Sequence, residues 1–147
     1  MDNVSQEVRS KIMRSVHTKN TAQEIQVRSW IHRAGFRFSL HGVDLPGTPD
    51  VVLPRYRVAV FVHGCFWHAH KCPRGRRPRS NIDFWNRKLQ RNRKRDRRSR
   101  LLLQDLGWRV FVVWGCRLHE DTQQLIAHLR RRRSFAAGRQ QAGFSRK

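Results

Sequence analysis

Residues 50–63 read DVVLPRYRVAVFVH, and residues 64–72 continue as GCFWHAHKC. The first stretch holds two apolar runs, 50–53 and 57–63, parted by Pro54, Arg55 and Tyr56. Short apolar runs bounded by turn residues read as buried strands, so a hairpin is expected here. From His63 to Cys72, ten residues then carry two thiols, three imidazoles and two large aromatics. One string after the second strand thus holds metal ligands, candidate acid/base groups and candidate base-stacking wedges.

The flanks fit that plan. Thr21 is a good N-cap for a helix over 21–34, where Ile25, Trp30, Ile31 and Ala34 fall near helical spacing and Gly35 supplies a stop. Phe36, Phe38 and Leu40 alternate with polar residues, a strand signal. Residues 42–49, with LPGTP at their centre, are turn-rich, and 73–80 are Arg/Pro-rich and irregular. A long helix is expected over 81–106, capped by Ser80 or Asn81 and ended by Gly107. A buried strand over 108–114 and a last helix over 122–129 follow. The order helix, three strands, long helix, strand, helix describes an α/β domain with a mixed sheet, the long helix serving as a crossover. The domain plan is a flexible basic arm with a short helix over 1–20, a folded domain over 21–130, and a basic disordered tail over 131–147.

Composition narrows the partners. The chain has 147 residues, with 32 Lys plus Arg against 10 Asp plus Glu, a formal charge of +22. That excess favours a polyanion, and nucleic acid first among them, without separating an enzyme from a binding protein. The N-terminus lacks the apolar stretch of a secretory signal, and the apolar runs are strand-sized, so no membrane partner is expected. A cytoplasmic location follows, where three thiols are reduced or metal-bound rather than disulfide-linked.

The three cysteines and one histidine form a possible zinc set: Cys65, His70, Cys72 and Cys116. A structural zinc wants four such ligands in a tetrahedron, and Cys116 follows a strand from which its side chain can project. The spacing matches no generic finger. The residues alone leave a second reading open, in which Cys65 and Cys116 are buried apolar thiols and His70 a surface imidazole.

Asp50 stands at the head of an apolar strand after a rigid Thr-Pro turn, well placed to hold Mg²⁺ against a phosphate, or simply to close the turn. If zinc takes His70, then His63 and His68 remain for proton transfer near neutral pH. Phe66 and Trp67 are either wedges between base pairs or core aromatics. Trp85, near the start of the long helix, is unusual if exposed and ordinary if it packs on the sheet. Thr21-x-x-Glu24 is a capping box, which alone accounts for Glu24. The basic run 87–100 reads as a phosphate-facing surface, with Arg91, Arg93 and Lys94 as DNA contacts.

Three strings together resemble the very short patch repair endonucleases, mismatch-nicking enzymes of bacteria. They are KNTAQEIQVRSWIHRAGFRFSLH at 19–41, LPGTPDVVLPRYRVAVFVHGCFWHAHKC at 45–72, and FWNRKLQRNRKRDRRSRLLLQDLGWRVFVVWGC at 84–116. The resemblance spans about residues 8–118. It implies a restriction-endonuclease-like core with a structural zinc on Cys65, His70, Cys72 and Cys116. It also implies a catalytic Mg²⁺ on Asp50 and the backbone carbonyl of Val62. His68 becomes the acid/base residue, supported by His63 and Glu24, so Glu24 gains a role beyond capping. Phe66, Trp67 and Trp85 become intercalating aromatics. Where the usual nucleases of this fold carry Glu-x-Lys, this chain reads Phe61-Val62-His63, a departure that the family shares.

The implied substrate is double-stranded DNA with a T:G mismatch, left when 5-methylcytosine deaminates. A nick 5′ of the thymine then lets a repair polymerase replace a short patch. A cytosine-C5 methyltransferase is the implied functional partner, the bacterial nucleoid the implied place, and a monomer the expected state. Two rivals stand beside this expectation. One is a zinc-stabilised DNA-binding module without catalysis. The other is a nuclease of a restriction–modification system with a different sequence context.

Overall fold

The computed structural model describes the backbone of residues 21–144 and the side chains up to residue 136. The basic arm expected over 1–20 lies outside the described residues.

The hairpin forms as expected. β1 (Ser39–Leu40), β2 (Val51–Leu53) and β3 (Val58–His63) are successive antiparallel neighbours, with Val51 opposite Val60 and Leu53 opposite Val58. Pro54–Tyr56 form a single 3-10 turn between β2 and β3, closed by Arg57 in the left-handed region. β4 (Arg109–Trp114) then pairs parallel to β3, with His63 beside Trp114, so the sheet is mixed with the order β1-β2-β3-β4. A parallel neighbour needs a long crossover, and the helix Ile82–Asp105 supplies it. The strand expected over 36–40 shrinks to two residues, because Phe36 turns into the core and packs edge-on against Tyr56 at 5.7 Å.

α1 (Ala22–Arg33) begins at Thr21, whose Oγ1 accepts the Glu24 N–H at 3.2 Å. Its buried face is Glu24, Val27 and Ile31. Ile25, expected on that face, is 53% exposed, since the stripe that meets the sheet runs through position 24 instead. Val27 and Ile31 join Val51, Leu53, Val58, Val60 and Val113 from the sheet and Leu125, Ile126 and Leu129 from the last helix in one apolar core. Side chains alternate across a strand. Phe61, His63, Val110, Val112 and Trp114 therefore line the opposite face, where the crossover helix α2 (Ile82–Asp105) covers a cleft of about 650 Å³.

α2 starts at Asn81, in the left-handed region and without a side-chain cap, and it ends at Gly107. Gly107 has φ +88°, a conformation that costs other residues about 1 kcal/mol or more, and it lets the Trp108 N–H reach the Leu103 carbonyl at 2.9 Å. The last helix departs most from expectation. α3 spans Leu118–Phe144, rather than 122–129, and runs through the stretch expected to be a disordered tail. Arginine, alanine and glutamine are good helix formers, so the helix continues after Leu129, its last buried residue among the described side chains. Among the described residues, no helix is long and apolar enough to cross a membrane.

Candidate active site

β3 and β4 end side by side, and the candidate catalytic and metal-binding residues gather there. Asp50 precedes β2 and lies beside the end of β3. Its Oδ2 accepts the Val62 N–H at 2.7 Å. The N–H and C=O of one strand residue point to the same edge, so the Val62 carbonyl leans toward Asp50 as well. Burial lifts the Asp50 carboxyl to about 6; the Val62 N–H pulls against this, nearby Glu24 adds to it, and His68 and Arg28 oppose it. A half-desolvated carboxylate beside a second acid and a carbonyl is a hard-oxygen donor set that a small divalent cation would relieve. The residues thus fit Mg²⁺.

Glu24 is 3% exposed. Its Oε2 accepts from Arg28 at 3.1 Å and lies 3.7 Å from His41 Nε2. Thr21 caps the Glu24 N–H, and the Glu24 carboxylate lies within electrostatic reach of Asp50.

Two imidazoles stack beside this pair. The rings of His63 and His68 are parallel, 3.7 Å apart. His63 is 7% exposed, and burial, then neighbouring His68, push its pKa down to about 3, so it is neutral at pH 7. His68 Nδ1 meets Asp96 Oδ2 at 2.5 Å. An ionised carboxylate only accepts, so Nδ1 carries the proton, and Nε2 is left as the nitrogen that can take one. Asp96 was not picked out from the sequence. Its signal was there: it is the lone acid among seven cations in RNRKRDRRSR, residues 91–100.

The loop after β3 curls back as a metal site requires. His70 N–H bonds the Cys65 carbonyl at 2.9 Å, and the Gly75 N–H bonds that of Cys72 at 2.9 Å. Gly75 has no substitute, since a Cβ would lie 2.0 Å from the His70 carbonyl oxygen. One ligand atom from each of Cys65, His70, Cys72 and Cys116 falls within 4.8 Å of the others, and His70 Nδ1 is 3.5 Å from Cys116 Sγ. Zn–S bonds of about 2.3 Å give tetrahedral edges near about 3.8 Å, so the four donors fit zinc after a small contraction. Desolvation works against the Cys72 thiolate, but hydrogen bonds from His70 and Cys65 outweigh it and bring the thiol down to about 6. Desolvation and the same thiols push Cys116 up to about 11. Trp114, also not singled out, stacks on His70 at 4.1 Å and meets His63 edge-on at 5.2 Å.

The aromatics form a cluster rather than three separate wedges. Phe66 and Trp67 are half-buried, 5.1 Å apart, and both contact Trp85. Trp85 itself is 5% exposed. In this conformation it is a floor beneath the other two, because α2 turns it inward at its first turn. The exposed ring on α2 is the neighbouring Phe84. Asn92 ties the Trp67 carbonyl to α2 at 2.9 Å, fixing the loop. Arg91, Arg93 and Lys94 lie on α2; Arg93 and Lys94 are exposed and border the cleft that reaches His63 and His68.

Known proteins are similar to this chain in sequence. The family model for the DNA mismatch endonuclease Vsr matches residues 1–74. The DNA mismatch endonuclease Vsr of Escherichia coli is 44% identical over 110 residues, covering 75% of this chain and 70% of its own. The chain belongs to the Vsr family of DNA mismatch endonucleases. Two other relatives carry different names. The type II nicking enzyme V.XorIIP of Xanthomonas oryzae pv. oryzae is 50% identical over 129 residues, 88% of this chain and 94% of its own. The type II nicking enzyme V.NmeAIP of Neisseria meningitidis is 42% identical over 110 residues, 75% of this chain and 79% of its own. The Vsr match takes in Asp50, the two stacked histidines and three of the four zinc-type ligands; Asp96 and Cys116 lie beyond it and join them through the fold.

Proposed function

We propose that this Vsr-family protein is a Mg²⁺-dependent, zinc-stabilised endonuclease on a restriction-endonuclease-like core, nicking the thymine strand 5′ of T at T:G mismatches. The observation that carries the reading is the pairing of His68 with Asp96 beside Asp50. It sets a proton-accepting nitrogen next to a cation-binding carboxylate at the mouth of a basic cleft.

In this reading His68 Nε2 takes the proton from an attacking water, while Asp96 holds the ring and its tautomer. Water oxygen bonds to phosphorus, the bond to the 3′ oxygen breaks, that oxygen takes a proton from solvent, and the product has a 3′ hydroxyl and a 5′ phosphate. Asp50 and the Val62 carbonyl would hold Mg²⁺, which when bound would supply charge neutralisation for phosphate hydrolysis. His63, neutral and stacked on His68, acts as a positioning residue, and so does Glu24 through Arg28 and His41. Cys65, His70, Cys72 and Cys116 would hold zinc, which would fix the loop that carries His68 and the aromatics. Phe66 and Trp67 press on the base stack. A mispair resists such pressure least, which selects the mismatch.

The protein works as a monomer in the bacterial cytoplasm, downstream of a cytosine-C5 methyltransferase and upstream of a repair polymerase. The names of its nicking-enzyme relatives favour a second version of the substrate, the same T:G chemistry in the sequence context of a restriction–modification system. Nicking of T:G duplexes across a library of flanking bases separates the versions, and a protein that binds them all without cutting supports the non-catalytic module instead.

A further inference from the structure

Past Leu129 the helix α3 runs on along the edge of the domain. Residues 130–136 are all exposed, and four of them are the consecutive arginines Arg130 to Arg133. Apolar burial does not hold this part of the helix. What it touches is the turn between β2 and β3: Arg55, Tyr56, Arg132 and Phe135 line one cleft of about 340 Å³. A second cleft of about 380 Å³, beside Phe36, Arg37 and Arg133, shares Arg55 and Tyr56 with it. Arg133 stacks on the Phe36 ring at 4.4 Å, which stiffens the junction. Phe135 is 62% exposed at the rim.

The charge here is unbalanced. Among the described residues, no ion pair reaches Arg37, Arg55 or any of Arg130 to Arg133; the pairs that exist involve Glu24, Asp96 and Asp121. Guanidinium groups left together without carboxylates repel one another, and an outside polyanion removes that cost.

Position decides which polyanion contact this is. The candidate active site lies where β3 ends at His63, and Arg55 precedes the start of β3 at Val58. Five strand steps separate the two ends of β3, about 16 Å at roughly 3.3 Å each. Along α3, Arg132 lies fourteen residues from Leu118, about 20 Å at roughly 1.5 Å per residue. The arginine pole therefore lies at the opposite end of β3 from the active site, about 16 to 20 Å along the fold.

We infer that the Arg37, Arg55 and Arg130–Arg133 pole is a second phosphate-binding surface, which holds a separate segment of duplex DNA while the active site holds the first. The inference rests on the nuclease reading for its choice of partner. It gives the protein a means of passing between DNA segments without release, and of bridging two duplexes.

The test uses the full chain, without added Mg²⁺, and fully paired duplexes too short to fold back. One duplex is fixed on beads and a second is labelled. The wild-type protein captures the labelled duplex. Arg37→Gln/Arg55→Gln/Arg132→Gln captures it at least about fivefold less, and the salt slope of capture falls by about 1 for each phosphate the arginines no longer neutralise. Affinity for one short duplex and nicking of a T:G duplex change less than about twofold. Arg133 is left alone because it packs on Phe36. The triple lysine variant keeps capture.

Failure of the wild type to bridge overturns the inference. So does a triple glutamine variant that bridges normally, or one whose single-duplex affinity falls in step with capture, which puts the arginines on the first duplex. Polyglutamate that competes as well as DNA at equal charge assigns the pole to an acidic protein and overturns it too. If the triple variant does not fold, Arg55→Glu, an exposed single reversal, carries the same expectation and the same contradiction. Bridging is read without mismatch or cleavage. A protein that bridges but never nicks keeps this surface and loses only the nuclease reading.

Discussion

Asp50 holds a carboxylate in surroundings that favour its neutral form. Its folded pKa, about 6, lies above the ordinary value of 3.8. The protonated state is then the better one for the fold. The cost of ionisation is absent below pH 3.8, grows as pH rises, and is complete above about pH 6. Asp50→Asn should therefore abolish nicking yet raise the melting temperature of metal-free protein at about pH 8, by about 1–3 kcal/mol of stability. The gain should fade toward about pH 4, and added Mg²⁺ should stabilise the wild type alone. Equal melting of the two proteins at the alkaline end would contradict the burial argument. Asp96 gives a second prediction. Without its carboxylate, His68 loses the proton on Nδ1 as a fixed feature. Asp96→Asn should lower the nicking rate about 10²-fold or more while leaving duplex affinity intact, and Asp96→Glu should recover part of it. A parallel loss of affinity in gel-shift titrations would mean that the residue serves the fold instead.

The loop between β3 and α2 works as one element. It is crossed by bonds from His70 to Cys65 and from Gly75 to Cys72, and it is pinned to α2 through Asn92. Zinc would close it onto the end of β4 at Cys116. Chelation, or Cys72→Ser, should lower the melting temperature and loosen the aromatic cluster, since a structural zinc contributes folding energy. Melting that ignores the chelator would leave zinc no part in the fold. Trp85 belongs to the same element and is buried, so Trp85→Ala should cost about 3–5 kcal/mol of stability. Phe66→Ala and Trp67→Ala should instead reduce the preference for mismatched over paired duplex. If Trp85→Ala melts like the wild type and loses only that preference, the ring swings out on DNA and acts as a wedge after all.

Across the whole molecule, the sheet order follows from features that a sequence carries well. Two apolar runs around a Pro-Arg-Tyr turn can hardly be anything but a hairpin, and a helix of two dozen residues between strands forces a crossover. The zinc-type set was legible because it takes in all three cysteines of the chain. Asp96 was not, because a lone acid in a basic helix has an ordinary use as an internal ion partner; its meaning depends on α2 crossing over the end of β3. Trp85 stayed open for a related reason, since one turn of helix decides whether a ring is floor or wedge. Ile25 and Glu24 exchanged places because a buried glutamate needs Arg28 and His41, which come from outside the hydrophobic pattern. The length of α3 escaped because charge density argues for disorder, whereas helix propensity and the Arg133–Phe36 contact argue against it.

The assignment of mismatch nicking to the Asp50 and His68 site stands or falls on one assay. Purified protein and Mg²⁺ are incubated with end-labelled duplexes carrying T:G, T:A or C:G at one position, across a library of flanking bases. One nick is expected, 5′ of the thymine, in T:G duplexes of a defined context, with a 5′ phosphate, and none with Asp50→Asn or His68→Ala. Tight binding to the same duplexes with no cut in any context, or cutting that survives both substitutions, would refute the assignment.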